Sequence, residues 1–314
     1  MASLSEAGSL FDPELLRNVV RSLGQQAAAV VPELDGLTGA KKRDLDALHG
    51  LTAVDGTLIR ALPRMFWSLF HGGNHAAKMH LQFNVLSGAP LDATVTLGSG
   101  SEKGELGQNL RAGCLYVMDR GYASFALFRR IMDHDSSFIG RVQENVAYII
   151  EQERPLPKEA KEAHVIHDYV VSKLGTSHHK DLIERHVRLV IVEFTKQDGS
   201  ITTLNLVTDR LDLPAETVAL GYRYRWSVEL FFRWFKCVLG CRHLFSENLN
   251  GVAIQCYVAL IASLMIVIWT GIRLNKRTWE MVQFYLMGWA SLEELERHLN
   301  KVRSAAAQKA AQLV

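Results

Sequence analysis

Residues 221–241 read GYRYRWSVELFFRWFKCVLGC. The run has no proline and its glycines lie near its ends, so it reads as one helix of five or six turns. At about 100° per residue, Arg225, Glu229 and Lys236 fall on one stripe with Tyr222, and Arg233 sits beside them. Most of the remaining circumference is apolar: Val228, Leu230, Phe231, Phe232, Trp234 and Phe235. A helix apolar around most of its surface is normally buried. This one would bury a carboxylate flanked by cations and a phenol. The competing reading is an exposed ladder of Arg225–Glu229 and Glu229–Arg233 pairs at i,i+4 spacing, and the rest of the chain has to decide.

The chain has 314 residues, with 48% apolar residues and a net charge of +2. That length suits one large domain, or one domain carrying an insertion. The charge neither demands nor excludes nucleic acid. Cys114, Cys237, Cys241 and Cys256 follow no disulfide-framework spacing. Cys237, Cys241 and His243 make a C-x3-C-x-H run, which is not a usual zinc spacing, so reduced cysteines in a cytoplasmic protein are expected. The first residues do not form a signal peptide. Residues 249–272 carry no charge and are long enough to span a bilayer. Gln255, Tyr257 and the lack of a second such run point instead to a core helix packed on the 221–241 helix, and to no membrane.

Outward from these helices, the chain alternates in character. Residues 1–30 read as helix, starting at Asp12-Pro13-Glu14. Lys41-Lys42-Arg43 is a solvated basic cluster. Residues 51–57, LTAVDGT, read as a strand that ends at Asp55 and is stopped by Gly56. Residues 78–97 alternate in period two around SGAP at 87–90, a β-hairpin. Residues 98–107 read as loop, with a short helix after it. Residues 114–119, CLYVMD, read as a central strand ending in Asp119. An amphipathic helix from Tyr122 to Ile131 and a strand at 137–142 follow. Residues 144–208 are richer in charge and histidine, with strand-like runs at 167–174, 187–194 and 201–208 and a turn at Gln197-Asp198-Gly199. His164, His167, His178 and His179 lack ligand spacing and read as surface residues. The tail after Val302 is expected to fray.

Three carboxylates stand out by position. Asp55 and Asp119 each end a strand-like run, and Glu229 lies on the polar stripe of the helix. If the first and fourth strands are neighbours, the two aspartates meet at one sheet edge, and a following helix can bring Glu229 to them. Three hard oxygen ligands suit Mg²⁺. Two such ions about 4 Å apart activate a nucleophile and stabilise a leaving oxygen in phosphodiester displacement.

The same stretches resemble a known family. Tyr222-x2-Arg225-x3-Glu229-x6-Lys236 is similar to the Tyr-Arg-Glu-Lys signature of bacterial DDE transposases of the insertion-sequence-four type. Asp55 in AVDGT and Asp119 in YVMDRGY resemble the first and second catalytic aspartates, and LVTDRLDLPAETVALGYRYRW resembles the lead-in to the third acidic residue. The resemblance covers roughly residues 50–270. It implies an α/β, ribonuclease-H-like mixed sheet flanked by helices, with a mostly β insertion before the last catalytic helix. It also implies catalytic and metal-binding roles for Asp55, Asp119 and Glu229, with Asp55 on both of two Mg²⁺ ions (Mn²⁺ as substitute), Asp119 on one and Glu229 on the other. Tyr222, Arg225 and Lys236, with Arg233 and Arg120 as further candidates, would hold DNA phosphates. The implied partners are double-stranded DNA, both terminal inverted repeats and target, and a second copy of the chain when DNA ends are bound. The location would be the cytoplasm, at the nucleoid when on DNA.

The expected organisation is a helical N-terminal region at 1–50, a first core part at 51–143, a β-rich insertion at 144–208, a second core part at 209–275 and a helical tail at 276–314. Only 54 residues precede Asp55, fewer than the helical region such transposases usually carry there, and SLSEAG at 3–8 resembles the end of that region. The alternative function is therefore a truncated, non-catalytic remnant that binds DNA or dimerises and inhibits a full-length enzyme.

Overall fold

The computed structural model describes residues 8–311 except 9, 32–41, 176–181, 196–197, 238–240, 242–243 and 274. The expectations for Lys41, His178, His179, Gln197, His243 and most of SLSEAG lie outside the described residues.

In chain order, α1 (Pro13–Val30) starts where the sequence predicts: Asp12 accepts a hydrogen bond from the Glu14 N–H at 2.9 Å, and Pro13 needs no partner for a missing N–H. Then come α2 (Lys42–Ala47), β1 (Leu51–Arg60), β2 (Ala76–Asn84) and β3 (Ala89–Leu97). β1 does not end at Asp55. It runs ten residues straight through Gly56, because β2 lies beside it as a hydrogen-bonding neighbour that a local window cannot see. The expected 98–107 loop contains α3 (Glu102–Gln108), capped by Ser101, whose hydroxyl accepts from the Gly104 N–H at 3.2 Å. β4 (Leu115–Met118) is buried throughout, as expected of a central strand. α4 (Phe125–Met132) and β5 (Ser137–Val142) follow.

The stretch 144–208 is mostly β. It holds β6 (Ala147–Glu153), α5 (Lys158–Glu162), β7 (Val165–Gly175), β8 (Leu182–Ile183), β9 (Val187–Thr195) and β10 (Ile201–Thr208). The helical remainder is α6 (Ala215–Tyr224), α7 (Trp226–Cys237), α8 (Leu249–Thr270), α9 (Lys276–Leu286) and α10 (Leu292–Ala311). The single helix expected at 221–241 is thus two. At Arg225 the backbone N–H reaches back to the Tyr222 carbonyl at 3.1 Å, a three-residue step that tightens the chain and breaks the four-residue ladder. α10 does not fray at Val302. A reciprocal Ser291–Glu294 capping box starts it, and alanines, the best helix formers, carry it to Ala311.

The chain divides into two compact units. One comprises Asp46–Asp55 and Ser101–Trp226. Its strands lie in the order β1-β4-β5-β10-β9-β7-β6, with β8 beside β7. The β1–β4 and β4–β5 pairs are parallel; β5–β10, β10–β9, β9–β7 and β7–β6 are antiparallel. This is the mixed sheet the resemblance implies, and the 144–208 strands continue it rather than forming a sheet of their own. α4 covers one face. Phe128 stacks on Phe138 at 4.3 Å between centroids, with Tyr116, Met118 and Ile131 around them. α6 packs on β4 and β5. A β-carbon at Gly221 would lie 2.9 Å from Ile139 Cδ1 and 3.0 Å from Leu48 Cδ2, so glycine permits that approach.

The other unit comprises Met1–Leu45, Gly56–Gly100 and Ser227–Val314. Its strands run in the order β3-β2-β1. Arg17, Val20, Gly24 and Ala27 form the buried stripe of α1, and a β-carbon on Gly24 would come within 2.4 Å of the Pro90 carbonyl oxygen. Arg17 pairs with buried Asp92 through two hydrogen bonds of 2.9 Å. α8 packs mainly on α1 and β3, not on the 221–241 stretch as expected. Among the described residues it is the one helix long and apolar enough to cross a membrane, and half of its most apolar window is buried.

Candidate active site

The β1–β4 pairing sets the position of the two aspartates. Leu51 lies opposite Leu115, Thr52 opposite Tyr116 and Ala53 opposite Val117. Carried two residues past these pairs, the same register would bring Asp55 next to Asp119, which lies just past the end of β4. Adjacent strands lie about 4.8 Å apart, and residues two apart point to the same face. Both aspartates are half-buried. Asp119 closes the end of β4: it caps a 3₁₀ turn, Arg120–Tyr122, by accepting the Gly121 N–H at 2.8 Å. That bond occupies Oδ1. Arg120 itself is exposed.

Cations stand close by in the same unit. Arg225 lies over the Tyr222 ring, its guanidinium carbon 5.8 Å from the centroid. Burial raises the Tyr222 pKa, Arg225 and Arg141 pull it back down, and Asp119 pushes it up. Asp119, Tyr222, Arg225 and Arg141 therefore share one electrostatic neighbourhood. Tyr122 is buried at 2% exposure; burial raises its pKa well above the usual phenol range, with Glu102, Asp55 and Asp119 adding to the rise. Glu102, Tyr122 and Arg141 were not chosen from the sequence as site residues. Glu102 lay in a stretch read as loop, and the only local signal is Ser101 followed by an acidic residue, a helix start.

In the other unit, α7 carries Glu229 and Lys236 half-buried and Arg233 exposed. Phe231, Phe232 and Phe235 are buried, and Phe231 meets Phe83 at 5.1 Å. Trp234 is half-buried and meets Trp279 edge-on at 5.8 Å. Leu230, expected inside, is 49% exposed, so the apolar arc is narrower than the wheel suggests. Among the described residues no three His, Cys, Asp or Glu side chains are grouped as ligands of one ion. The Asp55–Asp119 pair supplies hard oxygen donors of the kind Mg²⁺ takes, and Mg²⁺ completes its shell with water and phosphate.

The family model for the transposase DDE domain matches residues 46–265. The chain is 28% identical, over 227 residues, to a presumed transposase for insertion sequence element IS5377 of Geobacillus stearothermophilus, covering 72% of this chain and 58% of that protein. It is 25% identical, over 236 residues, to the presumed transposase y4zB of Sinorhizobium fredii, covering 74% of this chain and 64% of that one. It thus spans somewhat less than two thirds of the length of these relatives. Among solved structures it is similar to piggyBac transposase in a synaptic complex with hairpin DNA, at a TM-score of 0.41 and 12% identity over 80% of this chain and 57% of that one. With the match covering residues 46–265, from before Asp55 to well past Glu229, the chain belongs to the DDE transposase domain family.

Proposed function

We propose that the chain is the ribonuclease-H-like catalytic core of a bacterial insertion-sequence transposase of the insertion-sequence-four type, which cuts DNA strands at transposon ends and joins them to target DNA. The observation that supports this reading is the parallel pairing of β1 with β4, the strands that lead to Asp55 and Asp119, within the residues the family model matches. DDE transposases work with divalent metal ions, and two Mg²⁺, with Mn²⁺ as a substitute, is our reading here. Asp55 would serve both ions, Asp119 one and Glu229 the other. Bound there, such ions activate a nucleophile and stabilise a leaving oxygen.

The chain's own residues bind and orient the DNA. Tyr222, Arg225 and Lys236, with Arg233 and Arg120, hold phosphates, because charge-assisted hydrogen bonds to phosphate oxygens fix register without reading sequence. The neighbourhood of Asp119, Tyr222 and Arg225 supports this, since a guanidinium and a phenol there share the field of an aspartate. The proposed core is 51–143 with 209–275, interrupted by the insertion at 144–208. A helical region at 1–50 and a helical tail at 276–314 flank it. The active form on DNA ends is a homodimer, working at the nucleoid.

The test is a strand-cleavage assay on double-stranded transposon-end DNA with and without Mg²⁺, for the parent and for Asp119→Asn. Mg²⁺-dependent nicking that Asp119→Asn loses supports the reading. DNA binding without cleavage under any divalent ion points to the non-catalytic alternative instead.

A further inference from the structure

The segment after β1 is braced with an aromatic ring turned outward. Leu58 and Arg60, two residues apart on β1, point to the same side, and both are exposed. Past the strand, the Ala61 N–H donates to the His75 carbonyl and the Phe70 N–H to the Asn74 carbonyl, each at 2.9 Å. Between these ties Met65 and Ser68 are buried, and the Ser68 hydroxyl donates to the Met65 carbonyl at 2.6 Å. A 3₁₀ turn, Phe66–Ser68, follows Met65. With Met65 and Ser68 anchored inside, Phe66 is carried outward at 85% exposure, and Leu62 and Leu69 are exposed as well. Trp67 Nε1 donates to the Glu247 carbonyl at 2.6 Å, and Arg64 pairs with the Glu247 carboxylate. Those contacts bring the stretch that carries exposed Phe245 against the same segment, within one compact unit.

Scattered exposed apolar side chains are ordinary, but several gathered on a braced turn mark an interaction site. The charge around this one selects the partner. Residues 56–91 include Arg60, Arg64 and Lys78 and no Asp or Glu. Glu247 offsets Arg64, and exposed Arg60 keeps the surface cationic.

We propose that residues 60–69 form a DNA-docking element in which Arg60 takes a backbone phosphate and the Phe66 ring stacks on an unpaired base. The proposal rests on the transposase reading, which supplies DNA as the partner, and adds residues outside the proposed metal and phosphate sets. An aromatic ring accepts any base, because every base has a π-face, while a nearby cation tracks the backbone. A base reaches Phe66 only where the duplex has opened, and strand cutting creates such ends. The competing occupant is a second copy of the chain, held by the apolar side chains alone.

The experiment titrates the full chain without metal against a blunt DNA duplex and against the same duplex with unpaired bases at one end, one of them 2-aminopurine. The variants are Phe66→Ala, Phe66→Leu, Phe66→Trp and Arg60→Ala, with Trp289→Ala, an exposed aromatic between α9 and α10, as control. Circular dichroism checks folding and light scattering gives the mass. Phe66→Ala should weaken binding of the unpaired-end probe by about tenfold, affect the blunt duplex less, and lose the quenching of 2-aminopurine that stacking causes. Phe66→Leu, which keeps apolar bulk without a ring, should also lose the quenching, and Phe66→Trp should keep both affinity and quenching. Arg60→Ala should weaken both probes and flatten the salt dependence by about one unit of slope. Trp289→Ala should match the parent. A folded Phe66→Ala that binds and quenches like the parent, while Arg225→Ala weakens binding, overturns this inference and leaves the transposase reading standing. Loss of self-association in Phe66→Ala with parental DNA binding assigns the surface to a second copy and overturns the inference likewise. A parent that binds neither probe overturns both. If Phe66→Ala does not fold, Phe66→Leu is judged by the same criteria.

Discussion

Arg225 lies over the ring of Tyr222, its guanidinium carbon 5.8 Å from the ring centroid, at the point where α6 gives way to α7. The stacking holds a cation and a phenol together beside Asp119. Within the proposed function that pair is a phosphate clamp. A phosphate-binding cation acts through counterion release, so Arg225→Ala and Lys236→Ala should each weaken binding to end DNA and flatten its salt dependence by about one unit of slope. Titrations over a salt series measure this. Parental slopes in both variants would leave the exposed-ladder reading of these residues in place.

Chemistry and binding should separate at the carboxylates. Glu229→Gln and Asp119→Asn should lower Mg²⁺-dependent cleavage by roughly a thousandfold, the scale found when a preorganised charge-stabilising group is removed. DNA affinity without metal should stay level or rise, since each change takes a negative charge away from phosphate. Gel-based cleavage alongside a metal-free binding titration tests both halves. A Glu229→Gln protein that cuts at the parental rate removes Glu229 from the metal set.

Arg188 and Asp168 join β9 to β7 by two hydrogen bonds of 2.6 Å, at 1% and 3% side-chain exposure. Removing one partner strands the other charge inside the sheet. Asp168→Ala should cost about 3–5 kcal/mol of unfolding free energy in urea, whereas the paired change Asp168→Leu with Arg188→Met should cost far less. Equal losses from the single and double variants would contradict this account of the pair.

Gly140 leaves no room for a methyl group. A β-carbon there would lie 2.8 Å from Phe128 Cζ and 3.0 Å from Cε1, against a ring fixed by its stack on Phe138. Gly140→Ala should destabilise by about 1–3 kcal/mol, the usual cost of overpacking. Thermal unfolding at the parental midpoint would show that α4 can shift to make room.

His80 gives the fold a pH dependence. Its Nε2 is 2.9 Å from Thr96 Oγ1, whose own hydroxyl donates to the Leu97 carbonyl, so Nε2 carries the proton and buried Nδ1 has no partner. Burial, then Lys78, lowers its pKa to about 4. The unfolded chain takes up a proton near pH 6.5 that the native state refuses. Stability present above about pH 6.5 is therefore lost as pH falls toward 4, by about 3 kcal/mol in full. Urea unfolding at pH 7 and pH 4.5 should show His80→Gln losing less than the parent; identical losses would assign the acid sensitivity to other groups.

Elements whose residue types follow a short period or a continuous apolar run were legible in the chain. The residue types of the hairpin β2–β3 alternate in period two although both strands are mostly buried, β4 is a continuous apolar run, β5 matches its expected bounds, and Asp12-Pro13 starts α1. The aspartates stood out because a carboxylate at the end of an apolar run is costly without a partner. β6 was not legible, because all seven of its residues are exposed at the sheet edge and its backbone pairing is with β7, a partner distant in the chain. α3 hid in a glycine-containing stretch, and only its packing against the Asp119 turn makes Glu102 part of the neighbourhood.

By itself, then, the sequence determined the residue types of the candidate site, the apolar cores and most strands, since these depend on local spacing and side-chain chemistry. Only the tertiary structure decided that β1 runs through Asp55, that the 221–241 stretch breaks at Arg225, that Leu230 faces solvent, and that β1 and β4 pair in parallel just ahead of Asp55 and Asp119. The strand features among these depend on neighbours distant in the chain. β2 prolongs β1 and β4 aligns with it, and no window along the sequence contains both partners of such a pair.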